Sequence, residues 1–260
     1  MRVALVSDIH GNRPALLAVA AMIEATGAEL VLNLGDIASG PLWPRETVAW
    51  LAERAWPTIA GNHERQALAA APSLQAGDGD DAYTAAKLGP AERAWLAALP
   101  ASMRACEGEI QAFHGIPGDD LQGLLETVVP GYAARIHPGV RAATDDEIDA
   151  RLAGLRAPVL VCGHTHTPRL RRLADGTLAV NPGSVGRPAY AHDQPHRHIV
   201  ECGTPHARWA LLERRADGWH AELHQTAYDW DGAARRAAAQ GFADWAYELG
   251  TGRTRPGGFR

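Results

Sequence analysis

Side chains that bind transition metals recur in five short polar clusters, each of which follows a run of apolar residues. The clusters are Asp8-Ile9-His10, Gly35-Asp36, Gly61-Asn62-His63-Glu64, His114-Gly115 and Gly163-His164-Thr165-His166. Side chains two residues apart on an extended segment point the same way, so the first and last clusters can each present two ligands to one side. Mixed nitrogen and oxygen donors suit Mn, Fe, Zn, Ni or Co rather than Ca or Mg. The pattern therefore predicts a transition-metal site.

Each cluster on its own has a simpler structural interpretation. The first could be a turn at a strand end, the last a polar hairpin loop, and the third a helix start with Glu64 near the positive end of the helix dipole. Asn62 could both cap that helix and bind a metal. The order of all five clusters along one chain favours metal binding over five unrelated local structures.

Two further polar features are less specific than the clusters. Asn12 stands before Pro14 at a predicted helix start, where it can cap the helix or contact a substrate phosphate, and both roles remain open. His192, His196 and His198 fall in a stretch that contains Asp193 and Pro195, and a solvated loop is the favoured interpretation. No function is predicted for these three histidines.

Alternating strands and helices must position the clusters. The apolar runs at residues 3–7, 29–34 and 57–60 predict strands, and residues 15–25 and 44–54 predict the helices between them. In an open α/β sheet, ligands bind outside the carboxyl ends of the strands, which is where Asp8, Asp36 and Asn62 would lie. The topology thus predicts the location of the site independently of the metal argument.

The rest of the chain is predicted to continue the same domain. Residues 71–82 predict an exposed loop that could form a lid, and residues 250–260 a frayed tail. Further helices are expected at 90–99, 144–155 and 229–249, and further strands at 110–113, 159–162, 208–213 and 219–226. Residues 1–260 are therefore predicted to form a single domain, with a core at 1–226 and a helical appendage at 229–249.

Composition bounds the class of protein and its partners. The 260 residues are 46% hydrophobic and carry a formal net charge of -5, which is typical of a soluble globular protein with no basic face for a nucleic-acid polymer. No run of about 18 apolar residues predicts a membrane span. Cys106, Cys162 and Cys202 are too widely spaced for a metal site and odd in number, which favours reduced thiols. A cytoplasmic location is therefore expected.

The five clusters, in this order, resemble the signature of the calcineurin-like metallophosphoesterase superfamily over residues 6 to 184. Asn181-Pro182-Gly183-Ser184 resembles the motif that follows the last histidines in its small bacterial branch, which contains broad-specificity phosphodiesterases. The stretch Gly40-Pro41-Leu42-Trp43-Pro44 resembles another feature of that branch. The resemblance implies a four-layer αββα sandwich with a dinuclear metal site at the carboxyl ends of the strands.

The resemblance also implies roles for individual residues. One metal would be held by Asp8, His10, Asp36 and His166, and the other by Asp36, Asn62, His114 and His164. Asp36 would bridge two divalent ions, with Mn favoured and Fe, Zn, Ni or Co as alternatives. His63 would stand beside the scissile phosphate, where it would stabilise charge or protonate the leaving oxygen. The implied reaction is attack on a small phosphate ester by a hydroxide that bridges the two ions.

The chain departs from the pattern of the superfamily's protein-phosphatase branch. That branch extends G-D to G-D-x-x-D-R-G, whereas this chain reads Gly35-Asp36-Ile37-Ala38-Ser39-Gly40. The carboxylate that would orient His63 and the arginine that would clamp phosphate are both missing there. Phosphodiesterase activity is therefore favoured. Hydrolysis of small phosphomonoesters, and a catalytically silent metal-binding scaffold, remain the alternatives.

Overall fold

Two β-sheets carry the strands that end at the polar clusters. The computed structural model of the protein describes residues 1–134 and 136–257. In the first sheet the strand order is β13-β12-β1-β2. Its strands are β1 (Arg2–Val6), β2 (Leu30–Asn33), β12 (Ala207–Arg215) and β13 (Gly218–Thr226). Strand β1 pairs with β2 in parallel and with β12 in antiparallel orientation. The first and second polar clusters follow β1 and β2, so the parallel pairing brings them to the same edge.

The second sheet delivers the histidines of the fourth and fifth clusters. Its strand order is β3-β4-β7-β9-β8. The strands are β3 (Ser102–Ala105), β4 (Ile110–Phe113), β7 (Val159–Val161), β8 (Arg169–Arg172) and β9 (Leu178–Asn181). The three central strands run parallel, and β3 and β8 pair antiparallel at the edges. Two hairpins stand apart from both sheets: β5 (Glu126–Val128) with β6 (Val140–Ala142), and β10 (Ala189–His192) with β11 (His198–Glu201).

The central strands of both sheets are buried on both faces, and alternate side chains of each strand point to opposite sides. Val3 and Leu5 pack between the two sheets together with Val159 and Val161. The alternate residues of β1 face the helices α1 (Arg13–Thr26), α2 (Pro44–Ala52) and α5 (Pro90–Ala97) on the outer side of the first sheet. Leu160 faces helix α6 (Asp145–Leu152) on the outer side of the second sheet. These layers confirm the predicted four-layer αββα sandwich.

A further group of helices lies beside the polar clusters. It consists of α3 (Asn62–Ala69), α4 (Asp80–Lys87), α7 (Trp230–Ala239) and α8 (Ala243–Thr251). Tyr83 of α4 packs with Phe242, Trp245 and Leu249 at the C-terminal end of the chain. The C-terminal helices therefore pack against α4, whose first residues were predicted to belong to a loop. No described helix is both long enough and apolar enough to cross a membrane.

Several predicted boundaries are corrected by the structure. Residues 57–60 do not form a strand, and only Thr58 makes a bridge, to Asn33; Pro57 lacks the N–H that a ladder would need. Helices α2 and α6 end at Ala52 and Leu152, earlier than predicted. The predicted loop at 71–82 contains a 3₁₀ turn at Ala76–Asp78 and the first residues of α4. Two acidic residues in the first turn of α4 favour this helix start because they face the positive end of its dipole.

Two other regions also differ from expectation. His192 and His198 are cross-strand partners in the β10–β11 hairpin, and His198 is buried, so the solvated-loop interpretation fails for it. The predicted frayed tail begins later than residue 250. Helix α8 continues to Thr251, and the backbone N–H of Thr254 donates to Glu201 at 2.7 Å. Residues 258–260 of the predicted tail lie outside the described residues.

Candidate metal centre

Six of the seven predicted ligands meet at the shared edge of the two sheets, in two groups of three. Within each group the potential ligand atoms lie within 4.8 Å of one another. The first group is Asp8, His10 and His166, and the second is Asp36, His114 and His164. Asp8 and Asp36 follow strands of the first sheet. His114, His164 and His166 follow strands of the second sheet. The site therefore depends on the packing of both sheets.

Two imidazoles of the first group face each other through their Nε2 atoms. His10 Nδ1 donates to the carbonyl of Ser39 at 3.1 Å, and His166 Nδ1 donates to the carbonyl of Arg187 at 2.8 Å. Because carbonyls only accept, each neutral ring carries its lone pair on Nε2. Those two Nε2 atoms are 3.1 Å apart. Two lone pairs at that distance repel unless a cation lies between them.

Asp8 supplies a second sign that the first group suits a cation. Its side chain is fully buried, and among the described residues neither carboxylate oxygen has a hydrogen-bond partner. A buried carboxylate without hydrogen bonds is costly, and coordination to a metal is one of the ways in which proteins compensate it. The donor set of two imidazoles and a carboxylate fits a borderline divalent transition metal.

The second group shows the same opposition of acceptor atoms. His164 Nε2 donates to the carbonyl of Leu121 at 2.9 Å, which leaves the lone pair on Nδ1. That Nδ1 lies 3.0 Å from the side-chain oxygen of Asn62, whose amide nitrogen donates to Gln66 at 2.9 Å. His114 donates from Nδ1 to the carbonyl of Leu34 at 2.7 Å and directs Nε2 to a distance of 3.1 Å from Asp36. Asn62 and His164 thus direct acceptor atoms at each other, while His114 Nε2 faces the Asp36 carboxylate.

Electrostatics separates the charged and neutral members of the site. Burial would raise the pKa of Asp36, but the neighbouring His114 and His63 hold it well below its ordinary value. Burial would lower the pKa of His114, and the Asp36 carboxylate instead raises it to about 10. Positive charge is therefore strongly favoured next to Asp36.

Burial lowers the pKa of His164 to about 4. Burial and the neighbouring His166 also lower the pKa of His10. These two rings are neutral near pH 7, which is the form that coordinates metals.

The backbone at the ligands is strained, contrary to the extended geometry expected from the i, i+2 spacing. Five of the seven predicted ligands have a positive φ, between 50° and 66°: Asp8, His10, Asp36, His164 and His166. Each such residue costs on the order of 1–3 kcal/mol, and such strain persists where the surroundings fix it, often at functional sites. Glycines allow the close approach of these turns. A Cβ on Gly61 would collide with Asp36 and His114, and one on Gly163 with Ser7 and Asp8.

Glu64 holds two of the clusters together, a role that the sequence analysis did not predict. Its buried carboxylate accepts from the backbone N–H groups of Asp36 and Ile37, both at 2.8 Å, and of Gly61 at 2.7 Å. Burial, together with the charge of Asp36, raises the pKa of Glu64 to about 7. The side chain that was interpreted as a helix-dipole partner therefore also fixes the turn that carries Asp36.

We expect Glu64→Ala to lower the free energy of unfolding by about 3 kcal/mol or more, because three buried N–H groups lose their acceptor together. Glu64→Gln retains one acceptor oxygen and should lose less. Denaturant unfolding of both variants and the unchanged protein measures the differences. An alanine variant as stable as the unchanged protein would show that these contacts do not stabilise the fold.

The Asn181-Pro182-Gly183-Ser184 motif positions the loops that carry the first and last clusters. Asn181 donates to the carbonyl of Gly163 at 2.8 Å and to Thr165 at 3.0 Å, and Ser184 donates to the carbonyl of Asp8 at 2.7 Å. Thr165 in turn donates to the buried carboxylate of Glu126 at 2.6 Å. The sequence singled out this motif only as a mark of a family branch. The structure gives it a physical role in aligning ligands.

His63 lies next to the two groups without joining either. Its ring centroid is 5.3 Å from that of His10, its side chain is 23% exposed, and its backbone N–H donates to Asp36 at 2.9 Å. Its Nδ1 lies 2.9 Å from a carboxylate oxygen of Asp81. Burial would lower the pKa of His63, but Asp36 and Asp81 raise it to about 9. Sequence reasoning missed Asp81 because that residue belonged to a predicted loop.

Asn12 acts as the helix cap that one of its two interpretations predicted. Its side-chain oxygen accepts from Ala15 N at 3.3 Å, and its amide nitrogen donates to Gly186 and Tyr228. The residue is fully buried. Both hydrogens of the Asn12 amide group are thus engaged in hydrogen bonds within the protein. Asn12 therefore has no side-chain donor available for the predicted contact with a substrate phosphate.

Comparisons with known proteins identify a matching family and solved structures of similar fold. Residues 1–204 match the sequence model of a family described as the calcineurin-like phosphoesterase superfamily domain. No curated protein matches the chain. Among solved structures, a metallophosphoesterase from Sphaerobacter thermophilus has a TM-score of 0.71 at 23% identity, with 97% of this chain and 100% of that chain covered. A putative diadenosine tetraphosphatase has a TM-score of 0.51 at 16% identity, with 87% and 94% covered. Because these identities are low, the structural likeness concerns the fold alone.

Proposed function

The chain belongs to the calcineurin-like phosphoesterase superfamily, and from that premise we propose that it hydrolyses small phosphodiesters with the help of two divalent metal ions. The observation that carries the proposal is the convergence of two groups of buried donors beside His63. Structural metal sites close their coordination with four protein ligands of their own, whereas here two neighbouring groups of donors would share the carboxylate of Asp36.

The ligand assignment that we propose follows the two groups. Asp8, His10 and His166 would hold one ion, while Asn62, His114 and His164 would hold the other. Asp36 would be shared between the two. Ions bound there would polarise water and neutralise the charge of the phosphate oxygens. Mn²⁺ is the proposed activator because the donors mix imidazole with carboxylate and amide oxygen, and Fe, Zn, Ni and Co fit the same donors.

The chain's own residues provide orientation and a proton. Backbone carbonyls fix the rings of the four ligand histidines by accepting one ring N–H of each, so that the other ring nitrogen is directed at the site. His63 keeps Nδ1 on Asp81, and none of the described residues hydrogen-bonds to its Nε2, which can therefore face the leaving oxygen. With a pKa of about 9, it carries a proton at neutral pH. The proposed role of His63 is therefore to donate that proton as the phosphate ester bond breaks.

The preference for diesters over phosphoproteins rests on the segment after Asp36. Ser39 and Gly40 stand where the protein-phosphatase branch has aspartate and arginine. A side chain at Gly40 would collide with the ring of Trp245, so the C-terminal helix α8 occupies the space that a phosphate-clamping arginine would need.

The proposed substrate is a small molecule. The net charge of -5 argues against a nucleic-acid polymer. A cytoplasmic location is proposed from the three free cysteines.

We expect faster hydrolysis of an aryl phosphodiester than of phosphoserine peptides, with Mn²⁺ among the best activators. The experiment is a screen of metals against aryl monoesters, aryl diesters, 2′,3′-cyclic nucleotides and phosphopeptides, starting from protein stripped with a chelator. Faster cleavage of monoesters would indicate a phosphomonoesterase instead. Metal binding without hydrolysis of any ester would indicate a silent scaffold, and a preference for phosphopeptides would refute the choice of branch.

A further inference from the structure

The first turn of α4 contacts the ring of His63. Asp81 lies in this turn, and its carboxylate receives the Nδ1–H of His63 at 2.9 Å. Both side chains are 23% exposed, so the pair is partly shielded from water without being closed off. With Nδ1 engaged, Nε2 is the only ring nitrogen of His63 that remains available to a substrate. The contact thus selects both the orientation of the ring and the nitrogen that it presents.

The residue before Asp81 anchors the same helix turn to the C-terminal end of the chain. Asp80 accepts from Arg187 Nη1 at 3.0 Å and from the indole N–H of Trp245, also at 3.0 Å. Arg187 also donates to Glu248 at 3.2 Å, and its guanidinium carbon lies 4.1 Å above the ring of Trp245. The side chains of Arg187 and Glu248 are 14% and 4% exposed. Charge pairs buried to this extent hold their geometry because separation would leave an uncompensated charge.

A second contact makes the same connection through α4. The hydroxyl of Tyr83 donates to Gln240 at the end of α7 at 3.0 Å, and its ring packs edge-on against Phe242. Trp245 itself lies with its ring centroid 5.9 Å from that of the ligand histidine His10. Helices α7 and α8 lie beyond residue 204, where the family match ends. The part of the chain outside the match thus borders both α4 and the ligand groups.

We propose that Asp81 is a positioning residue for His63, and that the C-terminal helices keep it in place through the contacts of Arg187 with Asp80 and Glu248. The proposal rests on the proposed phosphoesterase function. Asp81 supplies the orienting carboxylate that is missing at Ser39, although it lies more than 40 residues further along the chain. Asp81 touches neither the substrate nor a metal. It acts on the reaction through the ring of His63.

Asp81→Ala is expected to lower kcat roughly 10- to 100-fold for esters with poor leaving groups, the scale on which outer partners of functional histidines act. KM and metal content should change little, because no predicted ligand is altered. Asp81→Asn keeps an acceptor oxygen and should recover part of the rate. In a His63→Ala background, Asp81→Ala should have almost no further effect, because there is no ring left to orient. The rates of the unchanged protein, the two single variants and the double variant form a double-mutant cycle, which measures the coupling between Asp81 and His63.

Asp78→Ala is the matched control, since Asp78 lies in the same segment and bonds to Ser73 rather than to His63. It should leave kcat unchanged. If Asp81→Ala reduces the rate equally with and without the His63 ring, or releases the metals, the role is structural and the proposal is overturned. The same holds if Asp81→Ala leaves kcat unchanged for poor leaving groups.

Nitrogen NMR of the imidazoles tests the pair without reference to activity. The signals of His63, identified by their loss in His63→Ala, should show a protonated Nδ1 in a strong hydrogen bond that disappears in Asp81→Ala. An Asp81→Ala spectrum with an unchanged His63 ring would overturn the proposal. If the unchanged protein hydrolyses no ester but the NMR signature is present, the proposed function fails while the His63–Asp81 pairing stands.

Discussion

Asp36→Asn is expected to abolish turnover and to lower the occupancy of both metals, a larger effect than that of any other single ligand substitution. Asp36 is 1% exposed, and its pKa is held well below its ordinary value, so it is charged at any working pH. One carboxylate oxygen lies 3.1 Å from His114, and the other accepts from the backbone of His63. Asparagine has nearly the same shape but removes the charge that a bridging ligand would share between two ions.

Metal analysis of the purified variant together with its rate on an aryl diester tests this expectation. His166→Ala is the comparison, because His166 belongs to one group only and should reduce mainly one ion. Asp217→Asn provides a control, since Asp217 is an exposed residue that pairs with His220. An Asp36→Asn protein that keeps both ions and full activity would show that Asp36 is not the bridge.

His63→Ala is expected to keep its metals and to lose about 10²- to 10⁴-fold in rate for poor leaving groups, which is the usual contribution of general acid catalysis. Metal retention is expected because the contact between residue 63 and Asp36 is made by the backbone N–H, which alanine also has. An ester with a p-nitrophenolate leaving group needs little protonation and should suffer much less. The difference between the two substrates is therefore the measured effect.

Rates over a series of leaving groups distinguish the possible roles of His63. A similar loss for good and poor leaving groups would indicate that the side chain only stabilises phosphate charge. Unchanged rates for every ester would eliminate a catalytic role. His192→Ala is the matched control, because His192 lies exposed in the β10–β11 hairpin and should be silent in both assays.

The amino-acid sequence alone predicted the sheet edge where the polar residues meet. Apolar runs such as the one at residues 3–7 are long enough to identify strands, and a polar cluster directly after such a run must lie near a strand end. The weaker predictions were those that depend on a few residues. Residues 57–60 were assigned to a strand from apolar character alone, but Pro57 limits the pairing to one bridge.

The interpretation of residues 71–82 as a loop was wrong at the end of the stretch, where α4 begins at Asp80. Glycine, aspartate and alanine in that stretch are typical of loops, yet the same aspartates stabilise a helix start when they occupy its first turn. Composition cannot distinguish the two cases, because the helix continues into residues that pack on Phe242 and Trp245. Local preference is weak here, and distant contacts decide the structure.

The types and order of the predicted ligands were determined by the sequence, since a residue's capacity to coordinate is a property of its side chain. Which residues hold those ligands in place was decided only by the tertiary structure. Glu64 reaches a turn 28 residues away, Asp81 meets His63 across 18 residues, and Trp245 donates to Asp80 across 165. A hydrogen bond needs its two atoms within about 3 Å, and only the packing of sheets and helices brings such distant segments together.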